Sequence, residues 1–302
     1  MRTNHMATTI LLAGATGNLG GRIVRELRKR GADVRALVRP SSDPQKVEEL
    51  KQQGVQIAEA DPSDLAQLTK ACEGVDCVVS SLQGLHDVIV DTQLRLVDAA
   101  VAAGVPRFIA SDFSSDFTKQ PDGENRNFDL RRDFMRQVDT KAIATTSILN
   151  GAFADLLLYG MPLLDVKKKQ IGYWENPDWR IDFTTMDSTA AYTAAAALDE
   201  STPRILRIAD FQVSPNELAA ITKAAMGEAF DLVRMGSLDE LAAYNKRERA
   251  AHPEGEQEVF PRWQQSQYMQ SMFSVQHESL DNDRYAGIAW VSPQALLAQR
   301  RQ

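Results

Sequence analysis

The run Gly14-Ala15-Thr16-Gly17-Asn18-Leu19-Gly20 consists of residue types that let a backbone come close to a phosphate. It sits between an apolar stretch, Ile10 to Ala13, that reads as a short buried strand, and a stretch from Asn18 to Arg30 with Leu19, Ile23, Val24 and Leu27 at helical spacing. A tight glycine turn at that junction aims backbone amides at an anion, and the helix start adds partial positive charge. The spacing is GxxGxxG rather than GxGxxG, so the chemistry of a dinucleotide loop is kept although the letters differ. Gly14, Thr16, Gly17, Asn18, Leu19 and Gly20 are the expected loop contacts. At the end of the second strand, where a carboxylate would accept from an adenosine ribose, the chain places Arg39, then Ser41 and Ser42. A guanidinium there grips a 2′-phosphate that a carboxylate would repel, which predicts NADP(H) in preference to NAD(H).

These groups need a frame, and the chain alternates in a way that supplies one. Strands are predicted at Val34 to Val38, Val55 to Ala58, Asp76 to Ser80, Arg107 to Ala110 and Thr145 to Leu149. Helices are predicted at Pro44 to Gln53, Ser63 to Cys72, Val88 to Ala103 and near Asn127 to Val138. This is the rhythm of an α/β Rossmann fold, a doubly wound parallel sheet, with a smaller, mainly helical C-terminal substrate domain. The expected division is residues 7–150 for cofactor binding, with room for later return strands, and residues 151–302 for substrate. The crevice outside the strand ends makes Asp61, Ser80, Ser81 and Gln83 further candidate cofactor contacts. Asp61 before Pro62 reads equally well as a turn or helix cap. In the second half Asp187 and Ser214 read as helix starts, the latter as a capping box with Glu217, and aromatics gather at Phe153, Tyr159, Tyr173, Trp174 and Trp179.

Composition narrows the partners. The 302 residues include 43% hydrophobic ones, enough for a large core, and the net charge of -7 opposes a nucleic-acid backbone. Two cysteines, Cys72 and Cys77, make no disulfide framework and suit a reducing, cytoplasmic setting. His5, His86, His252 and His277 lie far apart, so no metal site is expected. Met1 to His5 precede a second methionine, Met6, and are set aside, and the apolar run Ile10 to Ala13 that follows the polar start is far too short for a signal-peptide core or a membrane span.

With these residues in view, the chain resembles the NmrA-like and isoflavone-reductase-like branch of the atypical short-chain dehydrogenases/reductases. The resemblance rests on Gly14 to Gly20, Leu37-Val38-Arg39, Val88 to Gly104 with Val105-Pro106-Arg107-Phe108, Ser111-Asp112-Phe113 and Asn150-Gly151-Ala152-Phe153. It implies that Ser111, Asp112 and Phe113 border the nicotinamide, that Asn150 and Phe153 lie near its ring, and that substrate enters a cleft between two domains. Relatives that reduce phenylpropanoids carry a lysine in a Phe-x-x-Lys arrangement that serves as acid/base group and cofactor contact. Here the arrangement reads Phe128-Asp129-Leu130-Arg131, and the Tyr-x-x-x-Lys pair of ordinary short-chain dehydrogenases is missing. Arg131 is therefore the candidate catalytic residue, able to hold the cofactor or polarise an oxyanion but not to shuttle a proton readily. Tyr159, Tyr173 and His86 are the side-chain alternatives for a proton donor. Two functions follow: an NADPH-dependent reductase of a small aromatic or conjugated molecule, or a non-catalytic NADP(H) sensor that signals to a protein partner.

Overall fold

A computed structural model describes residues 7–299. Met1 to His5, set aside above, lie outside them. In chain order the elements begin β1 (Thr9–Ala13), α1 (Asn18–Lys29), β2 (Asp33–Val38), α2 (Pro44–Gln52), β3 (Gln56–Glu59), α3 (Leu65–Cys72) and β4 (Cys77–Ser80). They continue α4 (Gln93–Ala102), β5 (Arg107–Ile109), α5 (Arg126–Val138), β6 (Ala144–Leu149), β7 (Ala152–Phe153), α6 (Leu156–Tyr159), β8 (Leu164–Asp165), β9 (Gln170–Trp174) and β10 (Ile181–Thr184). The chain ends α7 (Met186–Leu198), β11 (Ile205–Arg207), β12 (Phe211–Val213), α8 (Pro215–Met226), β13 (Asp231–Gly236), α9 (Leu238–Ala251), α10 (Arg262–Ser274) and α11 (Pro293–Ala298).

Seven strands form one sheet in the order β11-β6-β5-β4-β1-β2-β3. β1 pairs in parallel with both β2 and β4, and parallel pairing continues outward to β3 on one side and through β5 to β6 on the other. Chain direction through the sheet therefore reverses between β1 and β4, the place where such sheets bind ligands. β1 and β4 are apolar and buried almost throughout, as strands covered on both faces must be. Leu11, Val78, Leu96, Val97 and Phe108 lie in the core that joins the sheet to its helices. Arg107 is buried beside that core and donates to the Ala196, Ala197 and Asp199 carbonyls, which closes the last turn of α7.

The chain divides into two compact units that alternate along it. The first holds the chain up to Asp112, then Leu130–Ile148 and Ala190–Leu206, and the second holds Phe113–Asp129, Leu149–Thr189 and Arg207–Gln302. The return strand is β11, too short to be read from Ile205-Leu206-Arg207 alone. The second unit contains two three-stranded sheets, β12-β10-β7 and β13-β9-β8, with helices α8 to α11. Its core includes Leu157, Ile171, Phe183, Leu218, Met269 and Phe273.

Local signals account for most helix ends. Ser214 and Glu217 form the expected capping box, and Ser237 with Glu240 forms another. Asp187 lies inside the first turn of α7 rather than at its start. The hydroxyl of Thr185 accepts from the Ser188 amide instead, because a cap must sit outside the helix it closes. The Arg247 to Gln265 stretch is the end of α9, a short 3-10 turn over Pro253–Gln257 and the start of α10. Within the second unit Arg126 pins it by donating to the Gly255, Glu258 and Val259 carbonyls, with its guanidinium 4.8 Å from the Trp263 ring centre. Among the described residues no helix is long and apolar enough to cross a membrane.

Candidate functional site: a cavity at the reversal of strand order

The loop after β1 is built for an anion. Gly14 has φ +86°, and a Cβ there would lie 2.7 Å from both the Ser81 carbonyl and hydroxyl oxygens. A Cβ on Gly20 would drive into the Gly14 carbonyl and stand 2.9 Å from the Ser81 hydroxyl. Both positions thus require glycine, for different reasons: backbone conformation at the first and close approach at the second. Gly17 starts α1 with no side chain capping it and no acid in the first turn, so the amides at that end face no competing acceptor from their own helix. Asn18 is exposed and accepts from the Arg22 Nε, and Leu19 is half-buried.

Gly14, Thr16, Arg39 and Gln83 line one cavity of about 180 Å³ together with Ser42. Its apolar walls include Leu37, Pro62, Leu68, Val88 and Leu96. Such a slot offers a flat apolar ring a place beside a polar turn. Arg39 is exposed, and among the described residues no carboxylate lies within ion-pair distance of it. Its amide donates to the Ser42 hydroxyl at 3.0 Å, and the Ser42 amide donates to the Arg39 carbonyl at 2.9 Å, which closes a tight turn. Ser42 rather than the exposed Ser41 consequently faces the cavity.

The other expected contacts separate by their hydrogen bonds. Ser80 is fully buried, its hydroxyl has no partner among the described residues, and it is not among the cavity walls. Ser81 donates instead to the Ala13 carbonyl at 3.0 Å and acts as a brace behind the glycine loop. The Asp61 carboxylate accepts from the Ser63 amide and hydroxyl, and these bonds hold it below the usual carboxylate range. That is the turn-cap geometry, and Asp61 is not among the cavity walls.

After β5, the Ser111 hydroxyl donates to the Leu82 carbonyl at 2.6 Å. Asp112 is fully buried and accepts from Ser147 at 2.6 Å, and Ser147 in turn accepts from Arg204 at 2.7 Å. Burial raises the Asp112 carboxyl, against the pull of the Ser147 hydrogen bond and the Arg131 and Arg204 charges. Its surroundings are therefore internal, an anchor for nearby cations. Arg131 is half-buried on α5.

In the second unit, Asn150 is fully buried, and neither polar atom of its side chain has a partner among the described residues. Phe113 is buried, and Phe153 is half-buried on β7, opposite Thr184 of β10. Trp174 packs edge-on against Phe273 at 5.4 Å and Trp179 donates to the Met272 carbonyl, so these two aromatics belong to the core. Tyr159 is 83% exposed.

A bare helix start, glycines that a side chain would block and an uncommitted arginine on one cavity fit a dinucleotide carrying a 2′-phosphate. Comparison with known proteins gives the same direction. The model of the NmrA-like family matches residues 6–248. Pinoresinol reductase 1 of Arabidopsis thaliana is 30% identical over 264 residues, covering 80% of this chain and 81% of the relative. The solved structure of AtPrR2 with NADP+ and (+)pinoresinol superposes with TM-score 0.79 at 24% identity, over 98% of this chain and 99% of that one. The binary complex of leucoanthocyanidin reductase and NADPH from Vitis vinifera gives TM-score 0.79 at 18% identity, over 97% and 99% of the two chains.

Proposed function

Because the chain belongs to the NmrA-like family, we propose that it is an NADPH-dependent reductase of a small aromatic or conjugated substrate. The observation that carries this reading is the meeting of Gly14, Thr16 and Arg39 on one cavity. The glycine turn and the open start of α1 receive the pyrophosphate, and Arg39 receives the 2′-phosphate. The chain binds NADP(H). When bound, the cofactor supplies a hydride.

The protein's own share is binding, orientation and charge. A guanidinium is a poor proton shuttle, so the role of Arg131 is to stabilise negative charge on a substrate oxygen while the proton comes from solvent. The similarity to pinoresinol reductase 1 supports a lignan-like or other phenolic substrate. The arginine in the Phe-x-x-Lys position also favours a second reading, a sensor that binds NADP(H) without turning it over and reports to a protein partner.

The test is titration with NADPH and NADH, followed by absorbance at the reduced-nicotinamide band against a panel of lignans, quinones, enones and aryl ketones. Steady oxidation with any of them establishes the reductase. Tight binding with no oxidation across the panel replaces it with the sensor.

A further inference from the structure

Part of the cavity wall comes from a segment with unusual backbone. The chain leaves β4 through Leu82, Gln83 and Gly84 and enters α4 by a π-helical turn over Asp87–Thr92. Leu82, Gln83, Val88 and Thr92 from this segment all line the cavity. A π turn holds one residue more than an α turn and is frequent at functional sites. Losing that residue would rotate Val88 about 100° around the axis and take it off the wall.

We propose that Gln93 is a positioning residue for the NADP(H) site, holding the π turn and the β4 loop in the form that makes this wall. The proposal rests on the cofactor reading above. Gln93 is fully buried, and both ends of its amide are engaged. Its Nε2 donates to the Ile89 carbonyl at 2.7 Å, inside the π turn. Its Oε1 accepts from the Ser111 amide at 3.0 Å, and the Ser111 hydroxyl donates to the Leu82 carbonyl at 2.6 Å. One side chain thus ties the π turn to the end of β5, and β5 to the loop that carries Leu82 and Gln83. Two neighbours complete the device. Thr92 donates to the Asp87 carbonyl at 2.8 Å, spanning the π turn. Gly84 lets Val88 approach, since a Cβ there would lie 2.5 Å from the Val88 Cβ.

The polarity of these bonds explains why the position carries an amide. The Ser111 amide needs an acceptor and the Ile89 carbonyl takes a donor, so an apolar side chain would leave the Ser111 amide buried and unsatisfied and would release the π turn from β5. Gln93 does not line the cavity, so its effect passes through Leu82, Gln83, Val88 and Thr92.

The experiment compares full-length wild type, Gln93→Met, Gln93→Glu and Val105→Ala. Val105 is buried in the same unit and is not a cavity wall, so its variant reports what a loss of stability alone does to binding. NADPH affinity is measured by fluorescence titration, stability by thermal melting, and local opening by hydrogen exchange over residues 82–93 and at the Ser111 amide. Gln93→Met is expected to raise the NADPH Kd about tenfold and to speed exchange in those segments, whereas Val105→Ala lowers the melting temperature with little change in Kd. Gln93→Glu, kept neutral by burial, offers the same donor and acceptor and is expected to stay within about threefold of wild type. It carries the test if the methionine variant fails to fold. A Gln93→Met Kd no higher than that of Val105→Ala overturns the proposal, as does equal weakening by the glutamate and methionine variants. Failure of the wild type to bind NADPH is a different result and removes the cofactor reading itself.

Discussion

Replacing Arg39 by alanine should convert a site that prefers NADPH into one that scarcely distinguishes NADPH from NADH. Arg39 lines the cavity beside Gly14 and Thr16, its turn is closed by Ser42, and no carboxylate of the described residues competes for its guanidinium. A hydrogen bond to a charged partner contributes about 1.5–3 kcal/mol, and each 1.4 kcal/mol or so is tenfold in affinity. Exposure puts Arg39 at the low end of that range, so the NADPH Kd should rise about tenfold while the NADH Kd changes less than about twofold. Calorimetric titration of both cofactors into both proteins measures the four constants. The wild-type preference should also shrink as salt rises from 0.05 to 0.5 M, because an exposed phosphate contact is screened, and the variant should show no such trend. Equal weakening of NADPH and NADH, or a preference that survives the substitution, would refute the assignment of the 2′-phosphate to Arg39.

Five further outcomes are expected. Gly20→Ala should abolish detectable NADPH binding, because its Cβ collides with the Gly14 carbonyl, and titration that finds wild-type affinity would count against the loop as a phosphate site. Arg131→Ala should remove turnover with whichever substrate the panel identifies while NADPH still binds, and an unchanged rate leaves Arg131 a structural role only. Arg126→Ala should destabilise the second unit by about 3 kcal/mol, since three carbonyls lose a buried charged donor, read as a shift in the urea midpoint by tryptophan fluorescence. Burial pushes the Cys72 and Cys77 thiols up to about 12, so a disulfide reagent at pH 8 should label them only as the protein unfolds. The same shift means the folded state retains protons that the unfolded chain loses, so stability should fall as pH rises from 9 toward 12.

The sequence by itself determined the frame. Parallel strands buried on both faces need continuous apolar runs, and helices that cover them need a 3.6-residue stripe, so Ile10 to Ala13 and the run from Asn18 announced β1 and α1 without any knowledge of their neighbours. The glycine loop and Arg39 were legible for a similar reason: a turn of that form demands glycine at fixed offsets, and the end of the second strand is a fixed address in the fold. Helix starts at Ser214 were also local, since a capping box is closed within four residues.

What only the tertiary structure decided was the use each polar group makes of its surroundings. Ser80 and Ser81 are adjacent and identical in type, yet one hydroxyl is orphaned in the core and the other is spent on the Ala13 carbonyl. Asp61 and Asp112 both sit after strands, but the first caps its own turn while the second is buried against Ser147, which lies on another strand. The apolar cavity walls, the π turn before α4, the strut from Gln93 to Ser111 and the return strand β11 leave no mark in a window of sequence. Each is fixed by partners far along the chain, and periodicity reports only a residue's relation to its own helix or strand.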